Sequence, residues 1–204
     1  MFIFVVIINF IIIIIYLQQI SLSAFAFLFA ELVQYCENRV QLASEMQSKL
    51  SEIGYNVGQR IVDMMLIREK NFKRETRLIN MLIFIRSKVW PILFGKEADK
   101  LEQANDDKNT CKNTSLCFID NIINISFLIS TDYIIEREPI VNKFISVPKD
   151  KKYINCASFI GGIIEAILNE CNFVCNILIN RFMDGFMRKI IFLVFFLNRL
   201  INNI

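Results

Sequence analysis

Six cysteines, Cys36, Cys111, Cys117, Cys156, Cys171 and Cys175, carry the most reactive side chains in this sequence. A thiolate serves as nucleophile or metal ligand, but each task needs help from a base or from further ligands nearby. No C-x-x-C pair occurs, so a zinc site has little support. The chain contains no histidine. That removes the commonest general base and the commonest metal ligand together, and it excludes Ser-His-Asp and Cys-His hydrolases. The cysteines read as mostly buried thiols of a cytosolic protein, Cys171 and Cys175 included. Gly95-Lys96 lacks the upstream glycine of a phosphate loop. Asn113-Thr114-Ser115 and Asn124-Ile125-Ser126 match glycosylation acceptors, which have no meaning in a cytosolic chain. A net charge of +3 argues against nucleic acid, which needs a clustered basic surface. The expectation is a protein with no catalytic residue, no metal and no cofactor, and not an enzyme.

The elements carry more information than the reactive groups do. At 204 residues the chain is long enough for one domain with a proper core. Hydrophobic residues make up 54% and the mean hydropathy is +0.44, both high for a soluble protein. Much of the excess lies at the start. Residues 1–30 hold no charge, and Met1–Tyr16 is broken only by Asn9. Sixteen helical residues span roughly 24 Å against a bilayer core of roughly 30 Å, so the segment passes as a membrane anchor. It makes a poor signal peptide, because the first basic residue is Arg39.

From Ser21 the pattern becomes that of a folded domain. Leu22, Phe25, Phe29, Leu32, Val33 and Cys36 recur at three- and four-residue steps, with Ser21 or Ser23 as cap. A second helix follows through Met46, Leu50, Ile53, Val57, Ile61 and Met64, with Ser44 as cap. Gly54 and Gly58 share one face of it. Each costs about 1 kcal/mol against alanine in a helix, which points to a seam where another backbone comes close. Arg68–Arg77 reads as a solvated mixed-charge connection, with a partner- or membrane-facing basic patch as the alternative. A third helix runs through Leu78, Leu82, Ile85, Val89 and Trp90, is kinked or ended at Pro91, and leaves through Phe94-Gly95. Tyr133-Ile134-Ile135 reads as a strand that stops at Glu136–Pro139, Phe144–Val147 as an extended piece, and Asn155–Phe173 as a last helix.

These motifs resemble those of the TRAPP (transport protein particle) small-subunit family. Gly54–Arg60 with Asp63 beyond it is similar to the family's glycine-glycine-arginine signature. Phe94–Asp107, Tyr133–Pro139, Ile145–Lys149 and Asn155–Phe159 point to one branch of the family rather than its siblings. The resemblance covers roughly 21–107 and 133–174. It implies an α/β (α+β) fold, with helices packed on one side of a small twisted antiparallel sheet. It also implies a scaffold subunit of a vesicle-tethering complex in ER-to-Golgi transport. The partners would be other TRAPP small subunits and, through the assembly, a Rab-type small GTPase whose nucleotide exchange the assembly promotes. The location would be cytoplasmic and peripheral at the cis-Golgi and endoplasmic reticulum. Gly54, Gly58, Arg60 and Asp63 are the expected signature and packing residues. Phe25, Phe29, Leu32, Met46, Leu50, Ile53, Val57 and Ile61 are the expected subunit interface. A sibling's acylated cysteine has no match in Met65–Thr76, so acylation is not carried over.

Three segments depart from the family pattern: 1–18, an insert at 108–132 inside the domain 19–175, and a tail at 176–204 that includes the apolar run Ile190–Leu197. All are rich in Ile, Phe and Asn and begin abruptly, as translated intervening sequence would. With the tail read this way, the fold lacks its closing hairpin. The rival reading is a small membrane-anchored protein with an N-terminal transmembrane helix.

Overall fold

Ser21 caps the first described helix. Its hydroxyl accepts a hydrogen bond from the Ala24 N–H at 3.3 Å, which satisfies one donor of the first turn. The computed structural model describes residues 21–40, 42–68, 75–103, 131–145, 155–173, 175–184 and 187–196. Helix α1 (Leu22–Glu37) buries Phe29, Leu32, Val33 and Cys36, the stripe read from the sequence. Helix α2 (Ala43–Arg68) has 26 residues, about 39 Å of helix. It starts one residue before Ser44, because the Met46 N–H bonds to the Leu42 carbonyl at 3.1 Å.

The third helix is continuous through Pro91 but changes winding ahead of it. Helix α3 (Leu78–Phe84) passes into a π-helical turn (Ile85–Val89) and then helix α4 (Trp90–Phe94). Proline offers no N–H to the carbonyl four residues back, and a widened turn is one way a helix absorbs that loss. Gly95 ends it at φ 73°, where a side chain would be strained.

Four antiparallel strands follow: β1 (Lys100–Gln103), β2 (Thr131–Glu136), β3 (Cys175–Asp184) and β4 (Met187–Phe196), ordered β1-β2-β4-β3. Leu101 pairs with Ile134, Ile134 with Phe192, and Phe192 with Ile179, one row across the whole sheet. Ile134 and Phe192 in that row are fully buried under the helices. Helix α5 (Ile140–Lys143) comes immediately before the piece expected to be extended. Pro139 sets its entry, with the Asn142 N–H on the Pro139 carbonyl at 2.9 Å. Of the expected piece Phe144–Val147, Phe144 is a bend, Ile145 is irregular, and the rest lies outside the described residues.

Helix α6 (Ser158–Glu170) is the central layer, between α2 and the sheet. Its adjacent glycines face opposite ways: a Cβ on Gly161 would meet Ile179 Cδ1 of β3 at 2.5 Å, and one on Gly162 would overlap the Ser51 carbonyl of α2. Asn172 at φ 64° closes the helix, and the Phe173 N–H reaches back to the Leu168 carbonyl at 2.8 Å.

The architecture expected from the resemblance is present, with one correction. The closing hairpin exists: β3 and β4 pair from Cys175↔Phe196 to Asp184↔Met187. Residues 176–184 and 187–196, read as part of a tail, form its two strands. The run Ile190–Phe196 is apolar at every position, and its Ile190 and Phe192 are buried in the core. The segments 1–18 and 108–130 lie outside the described residues, as do residues 197–204.

Candidate functional site

The signature glycines build a helix–helix seam. On α2, a Cβ at Gly54 would overlap the Phe159 carbonyl oxygen, and one at Gly58 would sit 2.7 Å from both the Ile163 oxygen and Ala166 Cβ. Gly162 answers from α6 against Ser51, so the two backbones approach as closely as helices can. Gln59 Nε2 donates to Glu170 Oε1 at 2.8 Å and pins the far end. Arg60 and Asp63, from the same signature, are exposed and lie off the seam.

The expected subunit interface is corrected. Phe29, Leu32, Met46, Leu50, Ile53, Val57 and Ile61 are all buried by this chain's own elements, and Phe25 is half-buried against Phe29 with ring centroids 5.8 Å apart. Phe29 in turn meets Phe159 of α6 edge-on at 5.3 Å. Regular spacing marked the buried stripe correctly, but it is this chain's α6 that covers much of it. The apolar side chains left open on the helices are different ones: Leu22 and Phe27 on α1, Ile67 at the end of α2, and Ile83 on α3. Phe27, 76% exposed, sits off the α1 stripe. An aromatic side chain on the polar face was the signal that pattern reading passed over.

A second cluster joins motifs far apart in sequence. Glu136, at the end of β2, is 2% exposed. Its carboxylate accepts from the Trp90 indole N–H at 3.2 Å and from the Lys96 ammonium. Burial pushes the Glu136 carboxyl above the ordinary range; the Lys96 hydrogen bond opposes this, and the nearby Asp99 charge adds to it. Asp99 Oδ2 accepts the Arg137 N–H at 2.8 Å. Arg86 Nε donates to the Ala98 carbonyl at 3.1 Å. On the other side of α5, Asn155 Oδ1 accepts from Asn142 Nδ2 and from the Ala157 N–H, each at 3.2 Å. Trp90 and the segment 96–99 are therefore clamped to Glu136 and Arg137, and Asn155 is tied to Asn142 of α5. Glu136, Trp90 and Lys96 have no joint role legible in the sequence. The available signal was a tryptophan in a buried helix, whose indole N–H must find an acceptor.

Next to Glu136 lies a cavity of about 170 Å³, walled by Trp90, Phe94, Ile140 and Ile160, with Glu138 and Lys143 among its polar lining. Among the described residues no group of three His, Cys, Asp or Glu side chains is placed to hold a metal ion. Burial raises the Cys36 thiol, and it pushes Cys175 up to about 12, with the Glu165 and Asp132 charges adding to the rise, so both stay protonated. The geometry offers helix packing, a rigid clamp and exposed apolar side chains.

The family model described as "Transport protein particle (TRAPP) component" matches residues 25–196. "Trafficking protein particle complex subunit 5" of Homo sapiens is 48% identical over 155 residues, which is 76% of this chain and 71% of the relative. The Gallus gallus protein of the same name is 47% identical with the same coverage. That of Dictyostelium discoideum is 41% identical over 155 residues, 76% of this chain and 72% of its own length. Among solved structures, the crystal structure of a trafficking protein particle complex subunit 3 from Naegleria fowleri covalently bound to palmitic acid is similar in fold. Its TM-score is 0.59 at 13% identity, with 85% of this chain and 94% of that chain covered.

Proposed function

The chain belongs to the TRAPP component family, on the branch of subunit 5, and from that premise we propose that it is a structural subunit of the TRAPP vesicle-tethering complex in ER-to-Golgi transport. Its direct partners are other TRAPP small subunits. Nucleotide exchange on a Rab-type GTPase is a property of the assembly, to which this chain contributes position and no catalytic group. It works from the cytoplasm, peripherally at the cis-Golgi and endoplasmic reticulum, and is held there through the complex.

The observation that carries this reading is where the signature and motif residues are placed. Gly54 and Gly58 join α2 to α6, and Glu136 and Asp99 clamp β2 to the α4 exit. They make a stiff body, while Phe27, Leu22 and Ile67 remain open on its helices. Open apolar side chains on a stiff body suit a subunit that completes its burial in a complex.

Co-expression with the other TRAPP small subunits, followed by size exclusion and native mass measurement, tests it. A stoichiometric complex is expected; a chain that elutes alone beside an otherwise assembled complex contradicts it. The membrane-anchored alternative gains nothing from the described residues, where no helix is long and apolar enough to cross a membrane. Its segment Met1–Tyr16 lies outside them.

A further inference from the structure

We propose that the cavity beside Glu136 is a socket for one large apolar side chain of another subunit, carried on a segment that also bears an acidic and a basic residue. This rests on the reading of the chain as a subunit of an assembly. Size sets the occupant. About 170 Å³ suits a single leucine- or phenylalanine-sized group and falls well below the roughly 300 Å³ at which cofactor sites begin. The walls set its polarity, since Trp90, Phe94, Ile140 and Ile160 present carbon.

The charges sort into inner and outer groups. Glu136, inside, is already matched by Lys96 and the Trp90 indole, so the interior asks for no charged ligand. At the lining's exposed side stand Glu138 and Lys143, one of each sign. Neither makes an ion pair among the described residues. An apolar group flanked by a base toward Glu138 and an acid toward Lys143 complements that arrangement. Phe144 follows the lining residue Lys143 in sequence and is 43% exposed, with the Lys143 ammonium 5.8 Å from its ring centroid, so it stands within reach of a segment seated at the lining's exposed side. The Glu136 clamp holds the walls before any partner arrives, which lowers the ordering cost of binding.

The test replaces Phe144 with a benzophenone-bearing amino acid, assembles the full chain with the other TRAPP small subunits, and irradiates the purified complex. The expected product is a cross-link to another subunit at or beside an apolar residue with opposite charges close by in sequence. In the same complex, Glu138→Lys with Lys143→Glu lowers the cross-link yield several-fold, because it presents each flank with a like charge. An intact complex in which position 144 cross-links only within this chain, or not at all, overturns the socket. So does a yield indifferent to the charge exchange. If native mass shows that no complex forms, the assembly reading fails and the socket fails with it, a result distinct from an intact complex without the cross-link.

Discussion

Gly54 and Gly95 are both glycines for steric reasons, but the reasons differ. At Gly54 the space for a Cβ is taken by the Phe159 carbonyl. At Gly95 nothing lies within 4 Å, and the constraint is the positive φ. Gly54→Ala must push two helices apart and is expected to cost about 3 kcal/mol. Gly95→Ala pays only backbone strain, about 1 kcal/mol. Urea unfolding of the two variants should rank them in that order; equal losses would mean that α2 and α6 are not in contact at Gly54. Glu136 makes a second residue-scale case. Glu136→Ala leaves the buried Trp90 indole without its acceptor, an expected loss of about 1–3 kcal/mol. Its pH dependence has a definite sign. The folded carboxyl holds its proton to higher pH than the unfolded one, so the folded state binds more protons between the ordinary value and the raised one. The contribution of Glu136 to stability therefore falls as pH rises through that window. Glu136→Gln cannot titrate, so the parent should lose stability relative to it over that range in unfolding curves taken at stepped pH. Of the thiols, Cys36, Cys156 and Cys175 are buried and Cys171 is half-exposed. Among these described thiols, pulsed alkylation read by peptide mass should modify Cys171 before the other three, which should wait until the chain unfolds.

At the scale of elements, the helices were legible and the sheet only in part. The stripes of α1 and α2 follow a 3.6-residue period because one face of each meets a core, and those same residues are buried. That periodicity says a face is covered without saying by what. For this reason the spacing of Phe29, Leu32 and the α2 stripe fits a subunit interface as well as it fits this chain's own core. Strand β2 showed itself through Tyr133-Ile134-Ile135 and its proline stop, whereas β1, with the polar sequence Lys-Leu-Glu-Gln, carried no strand signal of its own. The β3–β4 hairpin was missed because alternation is absent from Ile190–Phe196. The seam glycines were readable from their spacing; the Glu136 clamp was not, since nothing in one sequence says that residues 90, 96 and 136 meet. The surface of α1 yields the prediction at this scale. Phe27→Asp should leave the isolated chain's stability within about 0.5 kcal/mol, as for other exposed positions. If a partner covers this ring, its loss removes about 1.5–3 kcal/mol of burial, a weakening of assembly of roughly ten- to a hundredfold. Titration by light scattering or calorimetry would show it, and unchanged affinity would exclude α1 as a contact surface.

The whole molecule is a layered body in which α6 is held between α2 and the sheet and each layer depends on the next. Gly161 and Gly162, adjacent in sequence, set the two spacings at once. Burial keeps the Cys36 and Cys175 thiols protonated. Rigidity and open apolar side chains fit a component whose work is to hold neighbours at fixed positions. The most direct measurement is native mass spectrometry of this chain co-purified with the other TRAPP small subunits. One complex containing this chain in fixed stoichiometry is expected, lost or weakened by Phe27→Asp. A complex of the other subunits that forms without this chain, while the chain itself is folded, would contradict it.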